Sequence, residues 1–331
     1  MRSKKMMPLA LLGAVIAILA IMLVLLTGPK AAQQPQAAAL CPLNVEEVER
    51  FSYAGSNVEV TLLKGGEGNW LWDADPALPL DQAVVQALLD RMAALTPERA
   101  LTAGDAVGLP ARAAVPLMRF ELATADQTWT LEADSLNESV KAYYVYDEAG
   151  NVYTVAQSDL TGLCKAPRAL YAPQTLTEYS ADDAVRLQTG DLAFVKQADR
   201  WVLQETPEQP IDQDTVNKMA NTLCELTTNW TITAPEQDAA YGLDHPDVEA
   251  LLTFADGTEL TVRFGAPTAD DDTLCYLVAS SAPGLVYETN AGHKAAFAVT
   301  KEQLYAATPE TAAEDNPAQY PVGSDREQPA G

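Results

Sequence analysis

His245 and His293 are the only imidazoles in the chain, and neither has a second histidine or a cysteine at the spacing a metal site requires. Both are expected to have surface roles. Four cysteines, Cys41, Cys164, Cys224 and Cys275, include no C-x-x-C pair. Of the three connectivities they allow, 41–164 with 224–275 keeps each bridge within one half of the chain. The alternative is four reduced thiols, and the sequence leaves both open. Asp270-Asp271-Asp272 could attract a hard cation but lacks the alternating Asp-x-Asp-x-Asp-Gly spacing, so it reads as a solvated loop. Gly65-Gly66-Glu67-Gly68 has the composition of a phosphate loop, yet a strand pattern follows it where a helix would be needed, and a hairpin turn is the better reading. There is no G-x-S-x-G elbow or Walker loop. No catalytic, cofactor-binding or metal residue is therefore assigned, and no cofactor is expected.

The elements around these residues begin with Arg2, Lys4 and Lys5 ahead of an uncharged apolar run, Leu9 to Leu26. As a helix that run would reach roughly 27 Å at about 1.5 Å per residue, close to a bilayer core. All 46 acidic residues follow it. Basic residues before the run place the N-terminus in the cytoplasm and the rest outside. The expected plan is a basic tail (1–7), a transmembrane signal anchor (8–27) and a tether (28–43). A cleaved signal peptide with an alanine-rich site, and a lipoprotein through Cys41, are the competing readings; the length of the run favours retention. The net charge of −25 repels the phosphate backbone and excludes nucleic acid as a partner. With 48% hydrophobic and 20% charged residues, the remainder has the composition of a folded globular region.

That remainder is duplicated. Trp70, Pro76, Pro79, Leu80, Asp81, Gln82, Val85, Leu88, Met92 and Leu95 stand opposite Trp201, Pro207, Pro210, Ile211, Asp212, Gln213, Val216, Met219, Leu223 and Leu226, each pair 131 positions apart. Beyond them Gly108-Leu109 matches Gly242-Leu243, Leu122 matches Phe254, Trp129 and Leu131 match Leu260 and Val262, Tyr144 matches Tyr276, and Val152-Tyr153 matches Val286-Tyr287. The expectation is two α+β units, 44–163 and 180–304, joined by a linker (164–179) and followed by a disordered acidic tail (305–331). In each, antiparallel strands surround one amphipathic helix, near 81–95 and 212–226, that packs on the sheet; Asp81 and Asp212 are its N-caps. Trp70 and Trp201 are expected in the core, not on a ligand platform.

Several of these residues resemble a known family. Trp-x-Leu/Trp, the proline-bounded turn, the amphipathic helix, Tyr241-Gly242-Leu243-Asp244-x-Pro246, Leu252-x-Phe254-x-Asp256-Gly257, Tyr276 and Val286-Tyr287 are similar to the bacterial domain-of-unknown-function family 4340 (DUF4340). The first copy departs from the pattern, with Val107-Gly108-Leu109-Pro110 and with Gln127 where the turn glycine would be. The resemblance implies an N-terminal membrane segment and, for some members, association with ABC transporters of the gliding-motility type; it carries no catalytic residues. Tyr241, Gly242, Leu243, Asp256 and Gly257 are read as structural, the glycines supplying positive φ in turns. The expected function is a noncatalytic, single-pass, extracytoplasmic binding or assembly module at the cell membrane. Its rivals are an envelope hydrolase using surface carboxylates and a structural spacer.

Overall fold

The computed structural model describes residues 38–55, 57–102, 105, 109 and 112–306. The predicted basic tail, signal anchor, the tether up to residue 37 and the acidic tail from residue 307 lie outside them. Among the described residues no helix is long and apolar enough to cross a membrane. Two compact units emerge: residues 38–74 with 82–170, and residues 75–81 with 171–306.

The first unit contains one antiparallel sheet of β1 (Arg50–Gly55), β2 (Val58–Lys64), β3 (Trp70–Trp72), β4 (Arg99–Leu101), β5 (Met118–Ala123), β6 (Thr128–Asn137), β7 (Ala142–Asp147) and β8 (Val152–Ala156). Its order is β3-β2-β1-β5-β6-β7-β8-β4. The second contains β9 (Ala184–Thr189), β10 (Leu192–Gln197), β11 (Arg200–Leu203), β12 (Trp230–Ile232), β13 (Val248–Phe254), β14 (Glu259–Pro267), β15 (Leu274–Ala279) and β16 (Val286–Asn290). Its order, β11-β10-β9-β13-β14-β15-β16-β12, is the first order with every number raised by eight.

The agreement extends to individual pairs. Leu62–Phe51–Leu122–Trp129 across one sheet corresponds to Phe194–Leu187–Leu252–Leu260 across the other. Val145–Tyr153–Ala100 likewise corresponds to Leu277–Tyr287–Thr231. Both sheets even bulge at the same place, after Ala133 and after Phe264. This register corrects one equivalence: Leu122 matches Leu252, and Phe254 matches Thr124. Alternation has a period of two, so a two-residue slip leaves every side chain on its proper face and goes unnoticed in the sequence. The slip arises at the hairpin, where Phe254 N–H donates to Thr258 O but Thr124 N–H donates to Gln127 O, a loop one residue shorter.

Helix α1 (Gln82–Ala93) buries Val85, Leu88, Leu89 and Met92, and α2 (Gln213–Glu225) buries Val216, Met219, Ala220, Leu223 and Cys224. In the second unit those α2 residues join Leu187, Phe194, Trp201, Leu252, Val262, Phe264 and Leu277 in one core. Asp212 caps α2 by accepting from Asp214 N–H at 3.1 Å. The short strands β4 and β12 were not anticipated, because three residues show no usable alternation. Part of the expected linker is packed: Leu170, Tyr171 and Leu176 are buried, and Thr175 bridges Thr227.

Candidate functional site

The two tryptophans are core residues, 5% and 2% exposed, and each ends on an outermost strand of its sheet. An outermost strand leaves main-chain groups without a neighbour, and here a glutamine amide takes them. Trp201 N–H donates to Gln213 Oε1 (2.8 Å), and Gln213 Nε2 donates to Trp201 O (2.9 Å). In the first unit Trp70 N–H donates to Gln82 Oε1 (2.7 Å), and Gln82 Nε2 donates to Trp70 O (3.1 Å). A side chain from the first turn of each helix thus imitates one more strand, tying helix to sheet edge. The matched positions of Gln82 and Gln213 were visible in the sequence; their role was not.

Gly242 has φ +67 and ends a 3-10 turn over Asp238–Tyr241, and Gly257 has φ +88 in the β13–β14 hairpin, as the turn glycines were expected to. The Tyr241-Gly242-Leu243 stretch lies directly on β14. A Cβ placed on Gly265 would stand 2.3 Å from Tyr241 O, so no side chain fits between them. At the matching position the first unit has Asp134, whose carboxylate accepts from Ala113 N–H at 2.7 Å. Leu243 is fully buried, and Tyr241 meets Tyr276 edge-on at 4.9 Å.

The acidic side chains serve turns. Asp256 accepts from Tyr179 Oη (2.5 Å) and Thr258 N–H (2.9 Å), bonds that hold its carboxyl below the usual carboxylate range. Asp271 accepts from Thr273 N–H and Thr273 Oγ1, with the same consequence, so the triple-aspartate loop is organised by its own main chain. Among the described residues no cluster of three or more histidine, cysteine or acidic groups is arranged to hold a metal. His245 is almost fully exposed, 3.9 Å from Asp244, while burial lowers the pKa of His293. Gly65–Gly68 closes the β2–β3 hairpin, Gly65 N–H donating to Asn69 O.

All four cysteines stand as free thiols in this structure. Burial is the main cause that raises the pKa of both Cys224 and Cys275, with Glu225 and Asp183 adding to it for Cys224 and Lys294 opposing it for Cys275; both lie in one core. Burial pushes the Cys41 thiol up to about 12 and those of Cys164 and Cys224 up to about 11. Such thiols stay protonated and unreactive at neutral pH.

The back faces of the sheets, opposite the cores, carry features that the sequence did not reveal. In the first unit an ionic ladder crosses the strands: Arg50 pairs with Glu121, Arg119 with Glu121 (3.4 Å) and Glu132 (3.5 Å), and Arg112 with Glu132. Arg112 also lies 4.7 Å over the Tyr146 ring. In the second unit the register replaces Arg119 and Glu132 by Glu249 and Arg263, reversing the charges. Arg263 donates to Leu243 O (2.9 Å) and Asp238 (3.1 Å). Beside it opens a cavity of about 290 Å3 whose walls include Thr261, Arg263, Val278, Leu285, Val286 and Pro235. Further along this face Glu288 is buried between Trp230 and Tyr276 on the neighbouring strands. Burial, then the charge on Glu288, raises the Tyr276 hydroxyl pKa.

Residues 201–313 match the model of the family described as Domain of unknown function (DUF4340), bearing out the resemblance for the second unit. No curated protein and no solved structure matches the chain.

Proposed function

We propose that this protein is a noncatalytic binding or assembly module, held at the cell membrane by its N-terminal apolar segment, with both sheet units on the extracytoplasmic side. The observation that carries this reading is the commitment of its reactive side chains to structure. Burial holds the thiols protonated, and Asp256 and Asp271 organise turns. What the units offer to another molecule is their back faces, surfaces of paired charges and tyrosines with a recess in the second unit. The membrane placement is supported by the basic residues before the apolar run and by the position of every acid after it. The class of partner, components of an ABC-type export or cell-surface machinery, rests on what the resemblance to the DUF4340 family implies for some of its members.

The test is crosslinking on intact cells with a membrane-impermeant reagent, followed by purification of the full chain and mass spectrometry. A defined envelope protein recovered in near-stoichiometric yield is the expected result. Background proteins alone, or a hydrolytic activity that stays with the chain through purification, would contradict the proposal.

A further inference from the structure

We propose that the recess on the back face of the second unit receives a single aliphatic or aromatic side chain of a bound polypeptide, with Arg263 and Asp238 hydrogen-bonding the peptide groups on either side of it. The inference rests on the reading of the protein as a binding module and names what that module grips.

The first unit supplies the comparison. The register equates Thr261, Arg263, Val278 and Val286 with Thr130, Glu132, Tyr146 and Val152. At those positions the first unit is filled from its own chain, because Arg112 comes in from a loop, pairs with Glu132 and stacks on Tyr146. This patch of the fold thus already accommodates a side chain delivered by a polypeptide loop. In the second unit Tyr146 has become Val278 and the acid has become Arg263, so the same patch is open and chiefly apolar.

Size and polarity then select the occupant. At about 290 Å3 the recess lies at the lower end of ligand cavities, which run from roughly 300 to 1,000 Å3, and suits one side chain better than a cofactor. Val278, Val286, Leu285 and Pro235 favour an apolar one. Arg263 and Asp238 neutralise each other, so the polar end presents a donor and an acceptor without net charge, which matches the carbonyl and N–H of a peptide. The net charge of −25 works against acidic segments at long range.

The experiment uses the full chain in detergent micelles with methyl-labelled valine and leucine, titrated with N-acetyl-leucinamide, N-acetyl-phenylalaninamide and N-acetyl-glycinamide. The leucine or phenylalanine probe should saturate shifts of the Val278, Val286 and Leu285 methyls at a concentration at least about tenfold below that needed with the glycine probe, the worth of burying one apolar side chain. Val278→Tyr, which restores the residue of the first unit, should abolish saturation. Ala282→Leu narrows the same recess from its partly exposed rim and replaces Val278→Tyr if that variant does not fold. Equal response to all three probes, saturation at other methyls, or binding undiminished in the filled variant overturns the inference. If binding to the recess fails while crosslinking still yields a defined partner, the partner is held elsewhere and the module reading stands; if both fail, that reading falls as well.

Discussion

Replacing Gln213 by leucine keeps a good helix former of similar size but removes both hydrogen bonds to Trp201, and with them the closure of the β11 edge. Each bond contributes about 0.5–1.5 kcal/mol net, or about 1–3 kcal/mol for the pair, and because the main-chain groups of Trp201 lose their side-chain partner the loss should lie in the upper part of that range, about 2–3 kcal/mol. For a region of this size that corresponds to a fall in Tm of roughly 4–12 °C. Thermal unfolding of the full chain in detergent, followed by circular dichroism, reads the effect. Gln82→Leu should cost a similar amount, because its bonds to Trp70 are the same pair in the other unit. Gln213→Glu adds a pH test. Its carboxylate would face Trp201 O, so the protonated form is favoured in the folded state and its pKa there lies above the unfolded value. The defect of this variant should therefore shrink as the pH falls toward that pKa, while that of Gln213→Leu stays constant. A Tm change under about 1 °C for Gln213→Leu, or a pH-independent Gln213→Glu, would refute the reasoning.

Other outcomes follow from single contacts. Gly265→Ala puts a methyl group against Tyr241 O and should destabilise the second unit by about 1–3 kcal/mol, whereas Gly66→Ala, with open space around it, should be nearly neutral; equal effects in thermal unfolding would contradict the packing. Thr253 Oγ1 is buried without a hydrogen-bond partner, so Thr253→Val should raise stability by about 1 kcal/mol, and a lowered Tm would speak against it. The depressed pKa of Asp256 means its stabilisation is present above the unfolded carboxylate value and is lost as the pH falls through the lower folded value; Asp256→Asn should flatten that part of the acid unfolding curve, and an unchanged curve would remove Asp256 from the account. With thiols pushed up to about 11 or 12, Cys41, Cys164 and Cys224 should resist iodoacetamide at pH 8 until the chain unfolds, after which mass spectrometry should count four labels; fast native labelling, or a disulfide in nonreduced peptides, would show otherwise.

Much of the fold was legible because its signals are local and repeated. Alternation at Met118, Phe120 and Leu122, the stripe Val216, Met219, Leu223 and Leu226, and a fixed offset of 131 between Trp70 and Trp201 each report a period or a distance along the chain. The equal strand order of the two sheets follows from that duplication. Where the signal is ambiguous the sequence misleads: period-two patterning is indifferent to a shift of two, so Leu122 aligns with Phe254 as readily as with Leu252. The cysteine alternatives could not be separated in the sequence, since pairing depends on which side chains meet within a core. The back face was hidden for a different reason. Arg263, Asp238 and Val278 are ordinary surface-strand and loop residues in sequence, and only the register shows that Arg112 and Tyr146 fill in one unit what stands open in the other.

The proposed placement of both sheet units outside the membrane, with a single N-terminal helix as the proposed tether, is tested most directly by protease accessibility. Cells are stripped of any outer barrier, treated with protease while the membrane is intact, and probed with antibodies to the second unit and to a tag at the N-terminus. The second unit should be digested while a short tagged fragment stays with the membrane through alkaline extraction. Full protection of the second unit until the membrane is dissolved, or release of the intact chain by alkali, would contradict it.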